Sequence, residues 1–277
     1  MDFLYPTERY VNALTRTELC QSAPDLSTDG CEAADIAVNP LFKGGRLPSD
    51  VYLSGILGVP WQVLAANRDA NGRSIDAASE LRFKAYAELT TDGTWQRILG
   101  SPGVPWRAAT DSKPEVAGSP RIPPSLPQML ESTQFPRTGV AVGNDINGRD
   151  YDTAQGTASL GPDDLQYACI FPLPAPRDCA ALDPNTEHCD CYDGARDRPL
   201  CEQTPGVTGP GPLQYWAKAY PSSRQLQVLR DFGTQTANSV VASICARNVT
   251  DASRSDYGYR PAMAALLERL QAGSDSP

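Results

Sequence analysis

The sequence predicts an α/β fold in which a layer of helices and parallel strands is interrupted by a long, loop-rich insertion. Three observations carry that expectation. Two nearly continuous apolar runs, at residues 51–59 and 240–245, suit strands covered on both faces, as in a parallel sheet. Helical apolar spacing flanks them at residues 5–16, 224–232 and 261–271. Between these segments the chain is punctuated by proline; 22 glycines and 25 prolines make up about a sixth of the 277 residues, against roughly an eighth in average usage.

The elements follow in order. In the first helix Pro6 suits a first turn, and Tyr10, Val11 and Leu14 share one face. The run Val51-Tyr-Leu-Ser-Gly-Ile-Leu-Gly-Val59 is bounded by Asp50 and Pro60, as a buried strand would be. Residues 77–89 and 94–99 have helical patterns, and the rest of the middle reads as ordered loop held by disulfides and by anchors such as Trp61, Trp95 and Trp106. Leu226, Leu229 and Phe232 are spaced by three, with Gly233 as the expected helix stop. Val240-Val-Ala-Ser-Ile-Cys245 is the second strand. Pro261 opens the last helix, Met263, Leu266, Leu267 and Leu270 form its apolar face, and Gly273 ends it. No internal repeat is present. Two strands do not make a stable sheet alone, so further strands are expected in the insertion or upstream of Met1. The division is residues 1–60 and 213–277 as core halves, with 61–212 as the Pro/Gly-rich, disulfide-stapled insertion.

Composition narrows the function. Hydrophobic residues make up 40% of the chain and four are Trp, enough for the core of one large domain or two small ones. With 24 Lys+Arg against 33 Asp+Glu the net charge is −9, which argues against a general nucleic-acid binder. No apolar run approaches the ~18 residues of a membrane span. The one histidine, His188, excludes mechanisms that need two, and no Gly-x-Ser-x-Gly elbow, phosphate loop or dinucleotide fingerprint occurs. Paired carboxylates for glycoside hydrolysis stay open, because many acids are available. Asp163-Asp164 after Gly161-Pro162 reads more simply as a turn or helix start.

The eight cysteines fall at 20, 31, 169, 179, 189, 191, 201 and 245. An even count in an acidic, Pro/Gly-rich chain reads as an exported, oxidised protein. No signal peptide is visible in Met1-Asp-Phe-Leu-Tyr-Pro6. Two readings follow: a leader removed with an upstream region, which is favoured, or a cytosolic chain whose cysteines serve a metal. In Cys179-x9-Cys189-x-Cys191-x9-Cys201, beside His188, a single residue separates the central pair. Structural zinc sites favour wider pairs, so zinc is disfavoured, and a 189–191 bond would close a strained ring. Cys189 and Cys191 are expected to pair outward. Cys20 and Cys31 are expected to pair with each other, leaving Cys169 and Cys245 for the cluster or for one another.

Calcium is the candidate cofactor. Asn67-Arg-Asp69-Ala-Asn71-Gly-Arg-Ser-Ile-Asp76, with Glu80 beyond it, alternates oxygen-bearing side chains around a glycine. Asp145-Ile-Asn147-Gly-Arg-Asp150-Tyr-Asp152 offers four oxygen ligands. The competing reading of both is an Asn-Gly turn with an arginine salt bridge and no metal. Asn248-Val-Thr250 matches the N-glycosylation pattern.

Tyr10-Val11-x-x-Leu14, the Val51-to-Gly58 run, Val241-Ala-Ser-Ile-Cys245 and the closing helix resemble, in this order, the second half of von Willebrand factor A-like domains of large exported bacterial proteins. Asp163-Asp-Leu-Gln-Tyr-Ala-Cys-Ile-Phe-Pro172 and Ala217-Lys-Ala-Tyr-Pro221 are similar to segments of that group. The resemblance implies a three-layer, Rossmann-like core, here incomplete. The family's metal site, an Asp-x-Ser-x-Ser loop after the first strand, is not carried over: the motif here, Asp251-Ala-Ser253-Arg-Ser255, follows the last strand. Thr91-Asp92-Gly93, which mimics another loop of the family, follows a helical pattern and is not carried over either. The function expected is an exported, non-catalytic binding, adhesion or surface-assembly module, extracellular, periplasmic or on the cell surface, and part of a longer chain or assembly. Loops of its insertion would meet a protein or glycan partner. The alternative is an extracellular, carboxylate-dependent, glycosidase-like hydrolase with its site in the insertion.

Overall fold

A computed structural model describes residues 4–66, 81–100, 124–130, 146–147, 167–183, 189–191, 199–204 and 211–274. Helix α1 (Thr7–Thr15) opens it, followed by strands β1 (Glu18–Cys20) and β2 (Ile36–Val38), which pair antiparallel. The loop between these strands has few large apolar residues, and the Cys20–Cys31 disulfide closes it. Helix α1 holds the same loop from outside. Asn12 Nδ2 donates to the Asp25 carbonyl at 2.9 Å and Arg9 to the Pro24 carbonyl at 3.1 Å.

Next come β3 (Leu53–Leu57), then helices α2 (Trp61–Leu64), α3 (Tyr86–Thr91) and α4 (Thr94–Leu99). Strands β4 (Cys169–Asp178) and β5 (Leu213–Ala219) form an antiparallel ribbon. The chain then runs through α5 (Ser223–Thr236), β6 (Ser239–Ser243) and α6 (Arg260–Ser274).

The two predicted strands pair with each other, parallel, from Leu53 opposite Ser239 to Leu57 opposite Ser243. Among the described residues no third strand joins them. A Cβ at Gly55 would lie 2.7 Å from Leu229 Cδ1, so Leu53, Gly55 and Leu57 face α5. Strand alternation puts Tyr52, Ser54 and Ile56 on the opposite face. Helix α6 lies there: Gly273 packs so closely on the Tyr52 hydroxyl that a Cβ would not fit. The architecture is thus mixed α/β, a small parallel sheet between two helices. All five residues of β6 are buried, and the main core around them draws Val59, Leu64, Ile98, Met129, Leu226 and Val241 together.

Four expectations need correction. The run at 51–59 is not covered on both faces, because Ser54 and Ile56 are exposed. Helix α5 passes through Gly233 and stops at Ala237, which takes the left-handed conformation at φ 56°. Gly233 instead lets Tyr86 and Ser239 approach the helix where a side chain would block them. Residues 81–85 are extended rather than helical, since Phe83 bridges antiparallel to Ala65. Helix α6 continues through Gly273, and its apolar stripe does not turn inward: Met263, Leu267 and Leu270 are 52%, 55% and 40% exposed, while Ala262 and Ala265 meet the core.

The β4–β5 ribbon carries the prolines that made this region read as loop. Ile170 donates its N–H away from β5, to the Ile146 carbonyl at 3.0 Å. Pro172, two residues on, shares that outward edge, so its missing N–H removes no bond to β5. A second, smaller core sits on the ribbon, built from Tyr167, Ile170, Leu200 and the disulfides of Cys179, Cys191 and Cys201.

Candidate functional site

Most of the predicted ligand residues lie outside the described residues: Asp69, Asn71, Asp76 and Glu80 of the first loop, and Asp145, Asp150 and Asp152 of the second. His188, Asp163, Asp164 and Trp106 lie outside them too. Asn147 is described. It is fully buried, and its Nδ2 donates to the Tyr167 carbonyl at 3.5 Å. Among the described residues no group of three His, Cys, Asp or Glu side chains is placed to hold a metal.

All eight cysteines are in disulfides: 20–31, 169–245, 179–189 and 191–201. Cys189 and Cys191 therefore pair outward, and none of the eight is a free thiolate for zinc. Four such bonds are consistent with a chain that folds under oxidising conditions. No described helix is long and apolar enough to cross a membrane.

Open α/β sheets usually bind ligands at the carboxyl ends of their parallel strands. Here that end is filled. Ser243 Oγ donates to the Val59 carbonyl at 2.6 Å and accepts the Cys245 N–H at 3.0 Å, tying the two strand ends. The Arg247 guanidinium stacks 5.3 Å over the Trp61 ring. Behind it Asp256, 1% exposed, accepts Arg254 through both oxygens and pairs with Arg247 at 3.4 Å. Asn248 donates to Asp256 and to the Asp251 carbonyl, and accepts the N–H groups of Thr250 and Asp251. The glycosylation triplet is thus the keystone of a loop. The Asp-x-Ser-x-Ser motif is equally local: Asp251 Oδ1 accepts both the N–H and the hydroxyl of Ser253. Asp92 of the other mimic pairs with Lys84 at 2.7 Å and caps Thr94.

The Arg254 bonds hold the Asp256 carboxyl below its ordinary range against the upward push of burial, with Asn248 and Arg247 adding to the effect. Glu88 is held low by Arg82, and Asp92, though raised by burial, is pulled lower by Lys84 and Thr94. A depressed acid contributes stability above its ordinary pKa that is lost as pH falls through the folded value. The melting temperature is therefore expected to drop as pH is lowered below about 4. Asp256→Asn is expected to flatten that drop and to cost about 2 kcal/mol at neutral pH, which thermal melts across the pH range would read.

A groove of about 340 Å³ runs between α1, the Cys20–Cys31 loop and α5, lined by Glu8, Asp25, Asp29 and Asp231 with Arg16 the one cation. Its walls are already engaged: Arg16 donates to Asn12 Oδ1 at 2.9 Å, Asp25 accepts the Ser27 N–H, and Asp231 pairs with Arg230.

The feature left without a structural use is the flank of the parallel sheet. Leu53 donates to the Asn238 carbonyl at 3.1 Å, and Leu57 accepts the Ile244 N–H at 2.8 Å. In parallel pairing the alternate residues point the other way, so the N–H and C=O of Ser54 and Ile56 face outward along the β3 edge. Helix α6, on the face of the sheet that carries Ile56, has an apolar stripe. Tyr259, whose carbonyl accepts the Met263 N–H, leads into Met263, Leu267 and Leu270 at helical spacing. Ile56, 37% exposed, lies on the same face of the sheet as this helix. Sequence reasoning placed these leucines on an apolar face but gave no sign that the face is open. Comparison of the chain with family models, with curated proteins and with solved structures gives no match.

Proposed function

We propose that this chain is a non-catalytic assembly module of an exported, extracellular or periplasmic protein, and that a protein partner docks on the flank formed by β3 and α6. The observation that carries the reading is the exposed set Ile56, Met263, Leu267 and Leu270 beside an open strand edge. Single exposed apolar residues are ordinary; a contiguous stripe next to unpaired backbone groups marks a surface that is covered in use.

The strand edge selects the class of partner. Glycans bring no alternating backbone donors and acceptors, whereas a polypeptide strand does. The reading predicts that bis-ANS, an apolar dye, binds the intact oxidised chain at this flank. Leu267→Lys with Leu270→Lys should weaken binding at least about tenfold while the circular dichroism spectrum stays unchanged. Fluorescence titration checks this, and a dye affinity indifferent to both changes would sink the reading.

A further inference from the structure

We propose that the occupant of the β3 edge is a second copy of this chain, the two β3 strands pairing antiparallel about a two-fold axis at Gly55. The inference rests on the docking reading above and names its partner. The edge offers the backbone groups of two residues, Ser54 and Ile56, placed symmetrically about Gly55. With the axis at Gly55, Ser54 of one copy stands opposite Ile56 of the other. Each such pair exchanges two hydrogen bonds, so both outward residues of both copies are satisfied and no group is left over. The edge is complementary to itself in this register.

The side chains agree with the backbone. A two-fold axis brings identical patches together, so a patch rich in one sign of charge would repel itself. This chain carries a net charge of −9, yet Ile56, Tyr259, Met263, Leu267 and Leu270 are all uncharged. The Tyr52–Gly273 contact brings the C-terminal turn of α6 to the residue that leads into β3, on the face of the sheet that carries Ile56. Five large side chains at the observed exposures supply on the order of 400 Å² per copy, from roughly 200 Å² for a whole large side chain. That is about half of the ~800 Å² each partner buries in a standard interface. The strand edges and their neighbours add to it, which fits a dimer of micromolar rather than nanomolar strength. Pairing would join the sheets in the order β6-β3-β3-β6, four strands in place of two.

Sedimentation velocity on the intact oxidised chain, with amide hydrogen exchange at both ends of the concentration range, tests the proposal. The mass should double with a micromolar midpoint. The Ser54 and Ile56 amides should slow at least about tenfold on association, while Leu53 and Gly55, already facing β6, stay as they are. Ile56→Lys and Leu267→Glu replace exposed side chains, so each should move the midpoint at least about tenfold with fold and disulfides intact. A monomer at every concentration overturns the proposal, as does a dimer that neither variant shifts and whose Ser54 and Ile56 amides exchange freely. A monomer that still binds bis-ANS at the flank removes the second copy but leaves the docking reading standing; one that binds no dye there removes both.

Discussion

Replacing Cys169 and Cys245 together by alanine is expected to lower stability by about 4 kcal/mol, a large share of an ordinary domain's margin. The bond spans 76 residues, against ten or eleven for the other three. Loop closure costs more entropy as the loop lengthens, so this link removes the most freedom from the unfolded chain. The 179–189 and 191–201 bonds lie inside its loop and shorten it, which keeps the figure near 4 rather than 5 kcal/mol. The native state loses as well. Both sulfurs are fully buried in the main core, where the bond ties the start of the β4–β5 ribbon to the turn that closes the parallel sheet. Urea unfolding of the double variant would measure the loss. Cys20→Ala with Cys31→Ala serves as the control and should cost less, because its loop is short and lies at the surface. An equal loss in both would refute the loop-length account.

Gly58→Ala is expected to cost 3 kcal/mol or more, on the order of the upper range for point changes. The reason is contact and not backbone freedom. A Cβ at Gly58 would fall inside the Tyr220 backbone carbonyl, which is held in place: Ser222 N–H donates to the Gly58 carbonyl at 3.2 Å, and the Gly58 N–H donates to Ser222 Oγ at 3.0 Å. Backbone cannot rotate aside as a side chain does, so strand β3 would have to leave the segment that leads into α5. Calorimetry would show a melting temperature lowered by many degrees. Gly44→Ala, at a position with open space but positive φ, should cost about 1 kcal/mol.

The elements legible in the sequence are those whose residues state their own burial. Val240 and Val241 read as strand, and Leu226, Leu229 and Phe232 as helix, because continuous or periodic apolar character leaves few alternatives. The outward pairing of Cys189 and Cys191 was legible from the single residue between them. The β4–β5 ribbon was not: Pro172, Pro174 and Pro176 argue against strand unless one knows which edge faces away from β5. The end of α5 was misplaced because Gly233 carries two meanings, helix stop and close contact, and only the packed Tyr86 distinguishes them. The docking flank was illegible for a related reason. Apolar spacing in α6 shows that a stripe exists, but whether the stripe faces the core or the solvent depends on the small residues Ala262 and Ala265 winning the sheet.

The pattern of disulfides sets a condition on how the chain is made. As the polypeptide emerges from its N-terminus, Cys20 meets Cys31 first, and that pair is native. Cys169 next meets Cys179, which is not its partner; it must pass over four later cysteines before Cys245 appears near the end. An oxidant that joined thiols in order of arrival would therefore produce 169–179, 189–191 and 201–245 bonds, none of them native. Reaching the native set from such bonds takes disulfide isomerisation as well as oxidation.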